Sequence, residues 1–144
     1  MNGNILLLED DPDQSETVTK MLLKAFPNYY LRICETESEF YIALNDIPVG
    51  SLFFAVLDAM VPWCEPAERM PVPPTDVQRD GIRYAGKRSL EMLRKKHGAD
   101  IPVWIYSILN SDGHGVEPSG NTHILEKRPE NGELLRAIHQ VIQA

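Results

Sequence analysis

The stretch Phe53-Phe54-Ala55-Val56-Leu57-Asp58 constrains the fold more than any other part of the chain. Its unbroken apolar run, with aromatic and β-branched residues among its members, predicts a strand covered on both faces, as in a parallel sheet. A carboxylate follows where that strand runs out. Pro62, four residues on, keeps a helix from starting at once. In open α/β sheets the ligand crevice lies beyond the carboxyl ends of the strands, so Asp58 stands where chemistry is usually done. Alone it would read as a turn residue, since aspartate is common just past strands. Its company elsewhere in the chain changes that reading.

A second apolar run, Asn4-Ile5-Leu6-Leu7-Leu8, ends in Glu9-Asp10-Asp11. A helix is expected next, with Asp11 as its cap, Pro12 in its first position, and Asp13 and Glu16 complementing the positive end of its dipole. Val18, Met21, Leu22 and Ala25 give it one apolar face. Tyr29 to Cys34 alternates as a strand. Thr36 and Glu39 form a capping box for a second helix whose Phe40, Ile42, Ala43 and Leu44 are expected to face inward. Past Pro62, residues 63–80 carry Pro66, Pro71, Pro73 and Pro74 and no periodicity, which reads as one long loop. Gly81 then opens a helix with Ile82, Ala85, Ser89, Met92 and Leu93, closed by Arg94, Lys95, Lys96 and Gly98. Pro102 to Tyr106 predicts the fourth strand, delivering Ser107 at its end. Residues 110–122 are too rich in Gly, Ser, Asn and Asp for a full helix. His123 to Glu126 predicts a short fifth strand with Lys127 at its carboxyl end, and Glu130 to Gln143 the last helix, on Leu134, Leu135, Ile138 and Val141.

Strands alternating with helices predict a doubly wound α/β fold with a parallel sheet and helices on both faces. Right-handed crossovers narrow the topology sharply, and the expected arrangement is the flavodoxin-like five-stranded order 2-1-3-4-5, here with the fourth helix short or missing. Strands one and three then lie side by side, and Glu9, Asp10 and Asp58 converge on one crevice. At 144 residues, 1–144 reads as a single domain.

A formal charge of −7, from 14 basic and 21 acidic residues, argues against a nucleic-acid partner, which calls for a basic face. Cys34 and Cys64 lack any paired spacing and fit a reduced, cytoplasmic setting. The run Ile5 to Leu8 is too short for a signal segment or a membrane span, so no membrane association is expected. His97, His114, His123 and His139 have no metal spacing and read as solvated.

Carboxylates gathered in one crevice repel one another: each pair at about 4 Å costs about 4 kcal/mol near a protein surface. Such a cluster calls for a cation, and an all-oxygen site completed by water suits Mg²⁺. Lys127 can balance a further anionic oxygen and Ser107 can donate a hydroxyl to another. The set is a pocket for a phosphoryl group, with an aspartate as the candidate nucleophile.

These residues resemble the receiver domain of two-component response regulators. The likeness rests on Leu8-Glu9-Asp10-Asp11, on Asp58-Ala59-Met60-Val61-Pro62, on Pro102 to Ser107, and on Lys127 before the last helix. The resemblance implies that Asp58 accepts phosphate from a histidine kinase or phosphotransfer protein. It also implies that Glu9, Asp10 (directly), the Asp58 carboxylate and the Met60 backbone carbonyl hold Mg²⁺, while Ser107 and Lys127 bind phosphoryl oxygens. Five features depart from the family's pattern, one being the short or missing fourth helix in residues 110–122. Arg128 intervenes between Lys127 and Pro129, Ile108 is bulky where a small residue is usual, Ile124 replaces the aromatic three residues before the lysine, and the loop after Pro62 is long.

The expectation is therefore a stand-alone receiver without an effector domain: a phosphoacceptor signalling protein rather than an enzyme, switching a protein partner. Met60 and Leu109 offer no polar group to orient water, which predicts slow loss of phosphate. Two other readings stand beside this one. A degenerate receiver would bind partners without phosphorylation, and a small Mg²⁺-dependent phosphatase would want a second acid where Met60 stands.

Overall fold

The structure, a computed structural model, describes residues 3–65, 72–109 and 111–142. Five strands run β1 (Asn4–Leu8), β2 (Tyr30–Cys34), β3 (Leu52–Leu57), β4 (Val103–Ser107) and β5 (Thr122–Glu126). They form one parallel sheet in the order β2-β1-β3-β4-β5, as the doubly wound reading requires. The helices are α1 (Pro12–Ala25), α2 (Glu37–Asp46), α3 (Thr75–Asp80), α4 (Ala85–His97), α5 (Ser111–His114) and α6 (Gly132–Val141), with a 3-10 turn at Ile82–Tyr84.

The apolar runs are unbroken because each strand feeds two cores. Ile5, Leu7, Phe54, Val56, Trp104 and Tyr106 point to one face, where Val18, Leu22 and Phe26 from the α1 segment and Leu134 and Ile138 of α6 cover them. Leu6, Leu8, Ala55, Leu57, Val103 and Ile105 point to the other, under Phe40, Ala43 and Leu44 of α2 and Leu93 of α4. A period of two along each strand thus divides one sequence run between two layers. Phe54 joins the aromatic packing of the first face, edge-on to Phe26 at 5.3 Å and to Trp104 at 5.7 Å between centroids.

Local signals act where they were expected. Asp11 caps α1, accepting from the backbone N–H groups of Asp13 and Gln14, and Pro12 occupies its first turn. Thr36 Oγ1 accepts the N–H of Glu39, while the Glu39 carboxylate reaches one residue past the cap, to the N–H of Glu35. The fourth crossover does keep a helix, but α5 is a single turn.

Four expectations need correcting. The segment read as one loop holds α3, a short helix whose buried side chain is Val77 and which Gly81 ends at φ 76°. Six residues with one apolar contact carry no periodicity to read. The helix read as opening at Gly81 begins with the 3-10 turn and becomes α-helical only from Ala85. Ile42 is 56% exposed, because Phe40, Ala43 and Leu44 define the inner face and a residue two on from Phe40 points away from it. His97 and His114 are buried rather than solvated: His97 Nε2–H donates to the Leu44 carbonyl at 2.9 Å, and His114 Nδ1 accepts from Val116 N–H at 3.1 Å. Pro66 and Pro71 of the segment after Pro62, Asn110, and Gln143 at the end of the last helix lie outside the described residues.

Candidate functional site

The sheet order sets β1 beside β3, so the acids that follow each strand meet. One carboxylate oxygen from each of Glu9, Asp10 and Asp58 lies within 4.8 Å of the others. The backbone holds them there. Asp58 N–H continues the ladder to the Leu8 carbonyl at 2.8 Å, and Glu9 N–H donates to the Cys34 carbonyl at 2.9 Å. Glu9 Oε2 accepts the Asp11 N–H at 3.2 Å, and Asp58 Oδ1 accepts the Met60 N–H at 3.3 Å.

Lys127 reaches in from the far edge of the sheet. Its ammonium donates to Glu9 Oε1 at 2.5 Å and to Asp58 Oδ2 at 3.2 Å. Its own N–H donates to the Ser107 carbonyl at 2.8 Å, fixing the end of β5 against the end of β4. Ser107 is buried, and its hydroxyl oxygen accepts the Leu109 N–H at 3.1 Å. Glu9, Asp10, Asp58, Met60, Ser107 and Lys127 line one cavity of about 240 Å³, with Ile108 and Leu109 at its side. The structure thus brings together every residue singled out in the sequence for this crevice.

The charges do not cancel. Burial, with Asp58 beside it, pushes the Glu9 carboxyl up to about 7 against the pull of Lys127. Burial and the Asp58 charge also raise Asp10. For Lys127, burial works against the ammonium form, but the Asp58 charge and the Glu9 hydrogen bond outweigh it and hold the amine above its usual range. The site is an acidic cluster with one fixed cation and room for another.

Sequence reasoning missed three contributors. Gly86 on α4 donates its N–H to the Ala59 carbonyl at 2.9 Å, and a Cβ there would lie 2.8 Å from the Asp58 carbonyl oxygen. Arg88 forms a two-pronged ion pair with Glu37, both contacts at 2.8 Å, tying α4 to α2 beneath the segment that follows β3. Tyr106 donates to Asn131 behind Lys127. A glycine inside a helical pattern was the one legible signal among them. A larger hollow of about 410 Å³, bordered by Tyr84, Lys87 and Gly115, offers no comparable set. Arg79 and Arg88 on its wall are already paired, with Asp80 and Glu37.

No family model matches the chain, and no curated protein does. Solved structures do. A response regulator receiver protein from Sinorhizobium medicae aligns at TM-score 0.63 and 18% identity, over 96% of this chain and 92% of its own. The non-phosphorylated HemR receiver domain from Leptospira biflexa aligns at TM-score 0.61 and 23% identity, over 99% and 95%. The receiver domain of a sensor histidine kinase from Pseudomonas aeruginosa, with a magnesium ion coordinated in its active-site cleft, aligns at TM-score 0.58 and 17% identity, over 97% of each chain. The chain has the fold of response-regulator receiver domains over nearly its whole length. Among the described residues no helix is long and apolar enough to cross a membrane.

Proposed function

We propose that this protein is a receiver that accepts a phosphoryl group on Asp58 from a histidine kinase or phosphotransfer protein, dependent on Mg²⁺, and signals to a protein partner by changing conformation. The observation that carries this reading is the approach of Glu9, Asp10 and Asp58 to within 4.8 Å, with the Lys127 ammonium bonded to two of them.

The donor set fits magnesium. It is all oxygen, it has few protein ligands, and burial raises Glu9 and Asp10 in a way that a divalent charge would relieve. Glu9, Asp10, Asp58 and the Met60 carbonyl are the residues that would hold the ion. When bound, it supplies charge neutralisation for the phosphoryl oxygens.

The chain's own groups do the rest. An Asp58 carboxylate oxygen attacks phosphorus, a new O–P bond forms, the donor's N–P bond breaks, and the leaving imidazole takes up a proton. Phosphorylation adds about −1.5 to −2 charges to an already acidic crevice, and the Lys127 ammonium is placed to balance part of them. The Ser107 hydroxyl now accepts from Leu109; turned toward the phosphoryl group it becomes a donor and releases the Leu109 amide. That exchange links the modification to the β4–α5 segment and shifts an existing equilibrium that a partner senses.

The test is intact-mass analysis after incubation with a small phosphodonor and Mg²⁺. The wild type should gain one phosphoryl group, and Asp58→Asn none. An unmodified wild type, or a variant modified equally, would reject the reading. Beryllofluoride titration then separates a phosphoacceptor from a binding-only module, which would show no Asp58-dependent spectral change.

A further inference from the structure

Tyr106 immediately precedes Ser107 on β4 but points to the opposite face, into the core beneath α1 and α6. It is buried among apolar side chains there, so its hydroxyl needs a partner. The hydroxyl donates to Asn131 Oδ1, which also accepts from Gln14 Nε2 at 2.9 Å. Asn131 stands just before α6 and Gln14 lies on α1, so one amide oxygen ties three elements together. Asn131 is itself buried, and its Nδ2 has no partner among the described residues. The amide is turned so that its oxygen serves both donors, at the expense of its own nitrogen.

The same tyrosine ring lies against the site. The Lys127 ammonium stands 5.8 Å from the ring centroid, within the range at which a cation is drawn to an aromatic face. Lysine carries its charge on a flexible four-carbon stem, so aiming the amine requires contacts beyond its charged partners. Burial holds the Tyr106 phenol above its usual range, against the pull of the Arg128 amide and the Lys127 charge, so it remains a neutral O–H donor.

We propose that Tyr106 is a positioning residue for Lys127: its ring is a wall beside the ammonium, and its hydroxyl, through Asn131, locks that wall to α1 and to the start of α6. This rests on the reading of Lys127 as the cation that binds the phosphoryl group.

The test compares Mg²⁺ affinity with beryllofluoride affinity in Tyr106→Phe and Tyr106→Leu. The phenylalanine variant keeps the ring and loses the lock; the leucine variant loses both. Beryllofluoride binding should weaken about threefold in the first and about tenfold in the second, the scale of a cation–ring contact, with Mg²⁺ affinity unchanged. In a Lys127→Met background, Tyr106→Leu should cost nothing further. Equal losses of Mg²⁺ and beryllofluoride, or a full Tyr106→Leu loss without the lysine, would show a merely structural role. If Tyr106→Leu does not fold, the Tyr106→Phe arm decides alone. A wild type that takes no beryllofluoride rejects the phosphoacceptor reading instead. The NMR signal of the Lys127 ammonium then decides for Tyr106: it should broaden away in Tyr106→Leu, and its persistence there overturns the proposal.

Discussion

The Lys127 ammonium lies 2.5 Å from Glu9 Oε1, so the tip of β5 is tied to the tip of β1 across the two strands between them. A partly buried ion pair over that span does more than hold the sheet. It keeps a cation over the crevice while leaving Asp10 and part of Asp58 without a full countercharge.

Stability without metal should depend on pH in a direction set by Glu9. Its folded value of about 7 lies above the ordinary 4.5, so the folded chain binds this proton more tightly than the unfolded one. That contribution is present below the unfolded value and is lost as pH rises through the window between the two. In urea melts with chelator, wild type should lose stability across this window relative to Glu9→Gln, and Mg²⁺ should stabilise it far more at about pH 8 than at about pH 5. A wild type that gains stability over Glu9→Gln through the same window would contradict the assignment.

Gly86→Ala should damage both fold and site. The added Cβ would sit 2.7 Å from Ala59 Cα and 2.8 Å from the Asp58 carbonyl oxygen, and backbone atoms cannot swing away. Overpacking of this kind costs about 1–3 kcal/mol. Because the backbone being pushed carries Asp58, Mg²⁺ affinity should fall with stability; calorimetry finding Mg²⁺ binding intact would argue against the contact.

The Arg88–Glu37 pair, 6% and 0% exposed, predicts an asymmetry between single and double variants. Arg88→Met leaves a buried carboxylate unpaired and should cost about 3–5 kcal/mol in denaturant melts. Adding Glu37→Leu should recover much of that loss, since the stranded charge is gone. Simple additivity of the two changes would mean the pair is not coupled.

The two cysteines should differ in reactivity. Burial pushes the Cys34 thiol up to about 12, whereas Cys64 is only partly buried. At mildly alkaline pH an alkylating reagent should therefore modify one thiol of the folded protein, identified by peptide mapping as Cys64, and both in denaturant. Rapid labelling of Cys34 under native conditions would show that β2 opens readily.

Phosphate on Asp58 should be lost slowly. Met60, Ile108 and Leu109 border the cavity, Ile108 is 71% exposed at its side, and none of the three has a polar side chain to orient an attacking water. Mass spectra taken after removal of the donor should show a half-life of many minutes or longer. Decay within seconds would place an unrecognised water-orienting group at the site.

Much of this architecture was legible in the chain itself, because it rests on local patterns. An apolar run such as Phe53 to Leu57 needs two covered faces wherever it is placed, and Asp11-Pro12 starts a helix in any context. Glu9, Asp10, Asp58, Ser107 and Lys127 were legible for the same reason, as polar residues at or just past strand ends, whereas Met60 was named for its carbonyl only through the resemblance. Tertiary structure alone decided what depends on distance through space. Glu37 and Arg88 are 51 residues apart, and Gln14 and Asn131 are 117 apart, so no spacing rule announces either contact. Ile42 turned outward and His97 inward because neighbouring elements, not their own chemistry, determined which side was covered. The crevice belongs to both accounts. Sequence placed Glu9 and Asp10 at the tip of β1 and Asp58 at the tip of β3, and the lateral order of the strands brought all three within one ion's reach, which no property of the separate segments could do.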